Sequence, residues 1–85
     1  MGELSSLPNI GEAVAQQLES AGIRTAEQLR QIGSKDAWLK IQQADPSACL
    51  NRLYALEGAV RGVKKSELPP EVKAGLKEFY EMHKL

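Results

Sequence analysis

The sequence is poor in the residue types that build disulfides, metal clusters and stacking surfaces. Its 85 residues include one cysteine, Cys49, so an internal disulfide and a cysteine-based metal cluster are excluded. Cys49 falls on an apolar stripe, which predicts a small core residue rather than a nucleophile. The one histidine, His83, is typical of a partly exposed helix end. Aromatic residues make up 5% of the chain, and we expect most of them in the core, with Tyr80 the exception.

Neither sign of charge is in excess, because 11 lysines and arginines balance 11 aspartates and glutamates. Non-specific DNA binders draw most of their affinity from neutralised phosphates, which requires a local surplus of Lys and Arg. The composition therefore argues against a strong solitary DNA binder. No apolar run approaches the length of a membrane span, and the amino terminus lacks the regions of a signal peptide. We expect one cytoplasmic domain spanning residues 1–85.

A tight turn directly before an amphipathic helix carries a chemical signature. The turn, called the hairpin turn below, consists of Leu7, Pro8, Asn9, Ile10 and Gly11. Asn9 with Glu12 resembles a capping box, and Gly11 lets the backbone approach a ligand closely. Unpaired amides and the positive end of the helix dipole favour a phosphate or carboxylate here. The alternative is a hydrophobic staple that fixes only the entry to the helix.

Positive charge near the turns is modest. Arg24, Arg30 and Lys35 lie around the first two turns, and Arg24 and Lys35 are candidate helpers of a phosphate site. Arg61, Lys64 and Lys65 form a second group after a long helix. Either group also has a structural explanation, because cations complement the carboxyl end of a helix and charged residues usually face solvent.

Apolar spacing and capping residues predict about five helices and no strand. The first helix begins near Glu12 and stops at Gly22. Thr25 opens the second, which ends at Gly33, and Ser34 caps the third. The fourth is predicted to be the longest and central helix, from about Pro46 to Arg61, and the last starts at Pro69-Pro70.

The predicted fourth helix has a strip of small side chains on one face. The strip consists of Asn51, Ala55, Gly58 and Gly62. Glycine inside a helix costs about 1 kcal/mol relative to alanine, so we expect another backbone to lie close to it. That backbone belongs either to the same chain, which is the preferred interpretation, or to a second subunit across a dimer face.

Beyond these patterns, the chain resembles known families. The hairpin turn, followed by Leu18, residues 21–25 and Leu29, is similar to the second half of a helix-hairpin-helix element, in which glycine usually occupies the position of Asn9. Residues 45–50, 53–62 and 68–70 complete a resemblance to the C-terminal domain of the TfoX/Sxy competence regulators, from about Leu4 to Tyr80. This resemblance implies an all-α, helix-hairpin-helix-like or SAM-like orthogonal bundle linked to DNA uptake or its regulation.

Two functional hypotheses remain open. No carboxylate pair, activated nucleophile or glycine-rich nucleotide loop is present, so we expect a non-enzyme that needs no cofactor or metal. The first hypothesis is a helical module that contacts a nucleic-acid backbone through the hairpin turn, weakly and without base specificity. The second is a protein-interaction or homodimerisation module in which the same turn and the small-residue strip contact another helix or a second copy of the chain, without nucleic acid.

Overall fold

The computed structural model describes residues 3–84, with residues 1, 2 and 85 outside the described part. The α-helices are α1 (Glu12–Ser20), α2 (Ala26–Ile32), α3 (Ser34–Ala44), α4 (Leu50–Arg61) and α5 (Pro70–His83). Short 3₁₀ turns lie at Glu3–Ser6 and Lys65–Glu67. Residues 3–84 contain no strand, so the predicted all-α fold of five helices is confirmed.

Glycines end the helices where the sequence predicts. Gly22 follows the last turn of α1 with φ +90°, and Gly33 ends α2 with φ +86°. The amide of Ile23 donates to the carbonyl of Leu18 at 2.9 Å, which closes the carboxyl end of α1. Gly22 and Gly33 both adopt a positive φ that residues with a side chain rarely tolerate, so these helix ends are encoded by the local sequence.

One of the predicted helix caps is confirmed and another is wrong. The hydroxyl of Thr25 accepts a hydrogen bond from the amide of Gln28 at 3.0 Å, as expected for the N-cap of α2. Ser34 instead lies within the first turn of α3, because the carbonyl of Gly33 already accepts the amide of Ala37 at 3.1 Å. The buried hydroxyl of Ser34 donates to Glu57 of α4.

The predicted start of the fourth helix is also wrong. Asp45 follows α3, and its side chain accepts the amide of Ser47 at 3.1 Å in a local turn that competes with helix formation. As a result α4 begins at Leu50, and α5, with 14 residues, is the longest helix. Cys49 is exposed at the N-cap of α4 and does not belong to the core, although its carbonyl accepts the indole N–H of Trp38 at 3.1 Å.

The core lies around α4, which packs against α2, α3 and α5 and against the second 3₁₀ turn. Leu53 and Leu56 of α4 are fully buried, as their helical spacing predicts. Trp38 of α3 is also fully buried, with its ring edge-to-face with Phe79 and Tyr80 at centroid distances of 6.2 and 5.8 Å. None of the described helices is long and apolar enough to cross a membrane.

Candidate nucleic-acid interface

The hairpin turn is anchored on one side and open on the other. The amide of Ile10 donates to the carbonyl of Leu7 at 3.3 Å, and the side chain of Ile10 is buried in the core. Leu7 and Pro8 are half-buried. Gly11 is exposed, and a Cβ built on it meets no atom within 4 Å, so its backbone is sterically accessible.

Asn9 does not cap α1, contrary to the prediction. Its backbone has φ +69°, and its side chain turns away from the helix that follows it. The amide nitrogen Nδ2 donates to the carbonyl of Val63 at 3.0 Å and lies 3.5 Å from the carbonyl of Ala55. The oxygen Oδ1 accepts the backbone amide of Lys65 at 2.9 Å. We call these contacts the Asn9 bridge, because they join the hairpin turn to the segment after α4.

Gly58 provides the space that the Asn9 bridge occupies. A Cβ at this position would overlap the Nδ2 atom of Asn9 and would lie 2.7 Å from the carbonyl oxygen of Val63. It would also lie 3.2 Å from the backbone nitrogen of Lys65. The close approach inferred for the small-residue strip thus occurs within the chain at Gly58, and the approaching groups come from the hairpin turn and residues 63–65.

The other members of the strip lie in different environments. Ala55 is buried beside the Asn9 bridge, whereas Asn51 is exposed in the first turn of α4. Gly62 lies beyond the end of α4 with φ +76°, and it is exposed with no atom within 4 Å of an added Cβ. The structure therefore packs Ala55 and Gly58 against the turn, whereas Asn51 and Gly62 are exposed.

Because Asn9 is used elsewhere, the start of α1 has no side-chain cap. Gly11 occupies the N-cap position with an extended backbone, φ −83° and ψ 176°. The first turn contains one acidic residue, Glu12, which is exposed. The amides of this turn carry the positive end of the helix dipole, while the carboxylate of Glu12 partly opposes an incoming anion.

Two lysines that the sequence did not assign to the turn lie beside it. An open depression is lined by Pro8, Asn9 and residues 62–67. Lys64 is exposed and Lys65 half-buried, and within residues 3–84 neither ammonium group forms an ion pair. We call these two residues the lysine corner. Because they lie more than fifty positions after Asn9, no local sequence pattern predicts that they adjoin the turn.

Arg24 and Lys35, the predicted helpers, do not line this depression. Arg24 is exposed between α1 and α2, where its backbone amide donates to the side chain of Gln28 at 2.7 Å. Lys35 lies in the first turn of α3, with its ammonium 5.5 Å from the centroid of the Phe79 ring. It faces a separate hollow that Arg61 also lines.

In that hollow, Arg61 forms an ion pair with Glu57. Burial raises the pKa of Glu57, but hydrogen bonds from Ser34 and Arg61 outweigh it and hold the pKa below its ordinary value. Glu57 is therefore a carboxylate at neutral pH and already compensates the charge of Arg61. Of the second cationic group, the lysine corner alone lies beside the hairpin turn.

These features define a small helical module that presents a hairpin-like turn and an adjoining pair of lysines on its surface. Residues 3–84 contain no cluster of three or more His, Cys, Asp or Glu side chains able to hold a metal ion. The family model of the TfoX C-terminal domain matches residues 1–80, and the chain belongs to this family.

A curated relative and two solved structures agree with this assignment. Protein Sxy of Escherichia coli strain K12 is 32% identical over 76 residues, which cover 89% of this chain and 36% of that protein. The chain thus spans about a third of the length of this relative. A triclinic crystal structure of an uncharacterized protein from Listeria monocytogenes is 47% identical with a TM-score of 0.92, covering 93% of this chain and 90% of that one. A tetragonal crystal form of a Listeria monocytogenes protein of unknown function is 46% identical with a TM-score of 0.90, over 92% and 96% of the two chains.

Proposed function

We propose that this domain is a non-enzymatic module of a competence-regulator type that contacts the phosphate backbone of nucleic acid through the hairpin turn. The observation that carries the proposal is the uncapped start of α1 behind the exposed backbone of Gly11. The relationship to the TfoX family and to Protein Sxy supports the link to competence for DNA transformation.

The physical basis is the partial positive charge at the start of a helix. Unpaired amides and aligned peptide dipoles place roughly half an elementary charge there, and phosphate oxygens are suitable acceptors. Since Gly11 has no side chain, a phosphate has access to the backbone. Amide contacts position a nucleic acid without reading its bases, so we expect no sequence preference. With Glu12 nearby and a net charge of zero, we expect weak and salt-sensitive binding.

The alternative function, protein interaction or homodimerisation through the small-residue strip, has less support. Asn9 of the same chain already fills the space at Gly58 that a second helix would need. The side chains that remain exposed on the strip are few, since Ala55 is buried beside the turn. A partner would therefore have to contact the exposed members Asn51 and Gly62, the hairpin turn, or another surface.

A fluorescence-anisotropy titration with labelled single-stranded and double-stranded DNA tests the proposal. We expect binding that weakens steeply between about 50 and 200 mM salt. The variant Gly11→Glu adds bulk and negative charge at the turn and should abolish binding. Gly75→Glu is the matched control, because Gly75 is exposed on α5 with no atom within 4 Å of an added Cβ.

The same experiment distinguishes the two functions. Equal losses in the two variants would mean that overall charge, and not the turn, governs binding. Absence of binding even at low salt would refute the proposal. In that case, measurement of the molar mass by light scattering would test for a homodimer.

A further inference from the structure

The Asn9 bridge connects two surface segments that are remote in sequence. Asn9 uses its amide nitrogen on the carbonyl of Val63 and its amide oxygen on the N–H of Lys65, at 3.0 and 2.9 Å. Both ends of a short, stiff side chain are thereby fixed to the same stretch of backbone. The position of residues 63–65 relative to the hairpin turn is therefore held by Asn9 together with the end of α4, where the amide of Val63 donates to the carbonyl of Gly58 at 2.9 Å.

The backbone of Asn9 shows that this side chain is not required by the turn itself. At φ +69°, glycine has no steric penalty, while asparagine is one of the few other residues that tolerate the conformation. A glycine at this position would allow the same turn and would leave the space above Gly58 unfilled. The side chain of Asn9 therefore serves the connection to residues 63–65.

The bridge also fixes the backbone of the lysine corner to the hairpin turn. Lys65 donates its backbone amide to Asn9, and Lys64 precedes it with an exposed side chain. The nearest acidic residue of this segment, Glu67, accepts the backbone amide of Lys64 at 3.0 Å and forms no ion pair with either lysine within residues 3–84. Both lysines therefore line the depression beside the turn without an ion pair in the described part of the chain, and Glu67 is the acidic residue that lines it with them.

We propose that Asn9 is a positioning residue that joins the hairpin turn and the lysine corner into one surface for a nucleic-acid backbone, with Lys64 and Lys65 as its additional phosphate contacts. This inference rests on the proposed function of the turn. It deepens that function by assigning the cationic half of the interface to residues 64 and 65 instead of Arg24 and Lys35.

The first test replaces the lysine corner. Each phosphate neutralised by a protein contributes about 0.9 to the slope of log K against log salt for duplex DNA. The double variant Lys64→Gln, Lys65→Gln should therefore bind more weakly and lose about 2 from this slope. The matched control is Lys73→Gln, Lys77→Gln on α5, which changes the net charge equally and should leave the slope near that of the wild type.

The second test removes the bridge but keeps the lysines. Asn9→Gly should retain helix content by circular dichroism, because glycine accepts the φ of the turn. We expect its salt slope to fall towards that of the lysine variant. Adding the lysine substitutions to Asn9→Gly should then have little further effect, which is the non-additivity expected of coupled residues.

A purely structural role for Asn9 is tested with Thr25→Ala, which removes the cap of α2 and leaves the Asn9 bridge in place. If Asn9→Gly lowers the melting temperature as Thr25→Ala does but leaves the salt slope unchanged, the inference is wrong. The inference is also wrong if the wild type binds and the lysine variant keeps the full salt slope. In that case the proposed role of the hairpin turn still stands. A wild type that does not bind DNA at low salt overturns both.

Discussion

Replacing Gly58 with alanine should strongly destabilise the domain, against the usual effect of this change in a helix. Gly58 lies inside α4, where alanine is intrinsically favoured by about 1 kcal/mol. The added Cβ, however, would overlap Nδ2 of Asn9 and lie 2.7 Å from the carbonyl oxygen of Val63. One of these contacts is with backbone, so rotation of a side chain alone does not relieve it.

The expected magnitude follows from three contributions. Overpacking of this kind costs about 1–3 kcal/mol. Loss of the two shorter hydrogen bonds of Asn9 costs about 0.5–1.5 kcal/mol each. After subtracting the helix preference of alanine, we expect a loss of about 3 kcal/mol in the free energy of unfolding. For a domain of this size that corresponds to a decrease of roughly 10–25 °C in melting temperature.

Urea unfolding followed by tryptophan fluorescence measures this loss, because Trp38 is fully buried in the folded state. Gly75→Ala is the control, since Gly75 also lies inside a helix but has open space around its Cβ. This control should stabilise the domain by about 0.5–1 kcal/mol. If Gly58→Ala stabilises as much as Gly75→Ala, Gly58 does not hold the Asn9 bridge and the argument fails.

Three further predictions concern other parts of the fold. Hydrogen bonds from the Ser47 side chain and from Arg52 lower the pKa of Asp45 from 3.8 to about 2. The stability that this carboxylate contributes is therefore complete above about pH 4 and lost as the pH falls through 2, so urea midpoints of Asp45→Asn should decline less on acidification than those of the wild type. Thr25→Ala should reduce the free energy of unfolding by about 1 kcal/mol in urea, and an unchanged midpoint would contradict its role as the cap of α2. The exposed thiol of Cys49 should react stoichiometrically with Ellman's reagent in the folded domain, whereas a thiol that reacts only in denaturant would contradict its exposure.

The parts of the fold that the sequence predicts correctly depend on signals within a few residues. Gly22 and Gly33 end helices because their backbones adopt positive φ, and Thr25 caps α2 because its acceptor is the amide three residues later. The apolar spacing of Leu53 and Leu56 correctly predicts the buried face of α4. Each of these features is predicted from neighbouring residues alone.

The start of α4 shows why an equally local signal fails. Asp45-Pro46 satisfies the pattern of a cap followed by a first helical proline, but the same aspartate forms a turn with Ser47 and an ion pair with Arg52 at 3.0 Å. The carboxylate of Asp45 can accept hydrogen bonds either as a helix cap or in a turn, and helix propensity does not decide between the two. Gln17 of α1 also donates to the Asp45 carboxylate at 3.1 Å, and this tertiary contact favours the turn, in which Cys49 is exposed and the helix is shorter.

Two of the wrong predictions of helix caps, at Asn9 and Ser34, share one cause, and it concerns the candidate site directly. Asn9 and Ser34 both precede or begin a helix, and both direct their side chains to α4 or to the segment after it. Local spacing predicts that each side chain caps the helix beside it. Polar groups in and after α4 also need hydrogen-bond partners, and in a small domain few other side chains can reach them. In consequence the placement of the hairpin turn against residues 63–65 depends on the space that Gly58 leaves for Asn9. A substitution at the buried position 58 should therefore alter nucleic-acid binding at the surface through Asn9, even though Gly58 itself contacts no ligand.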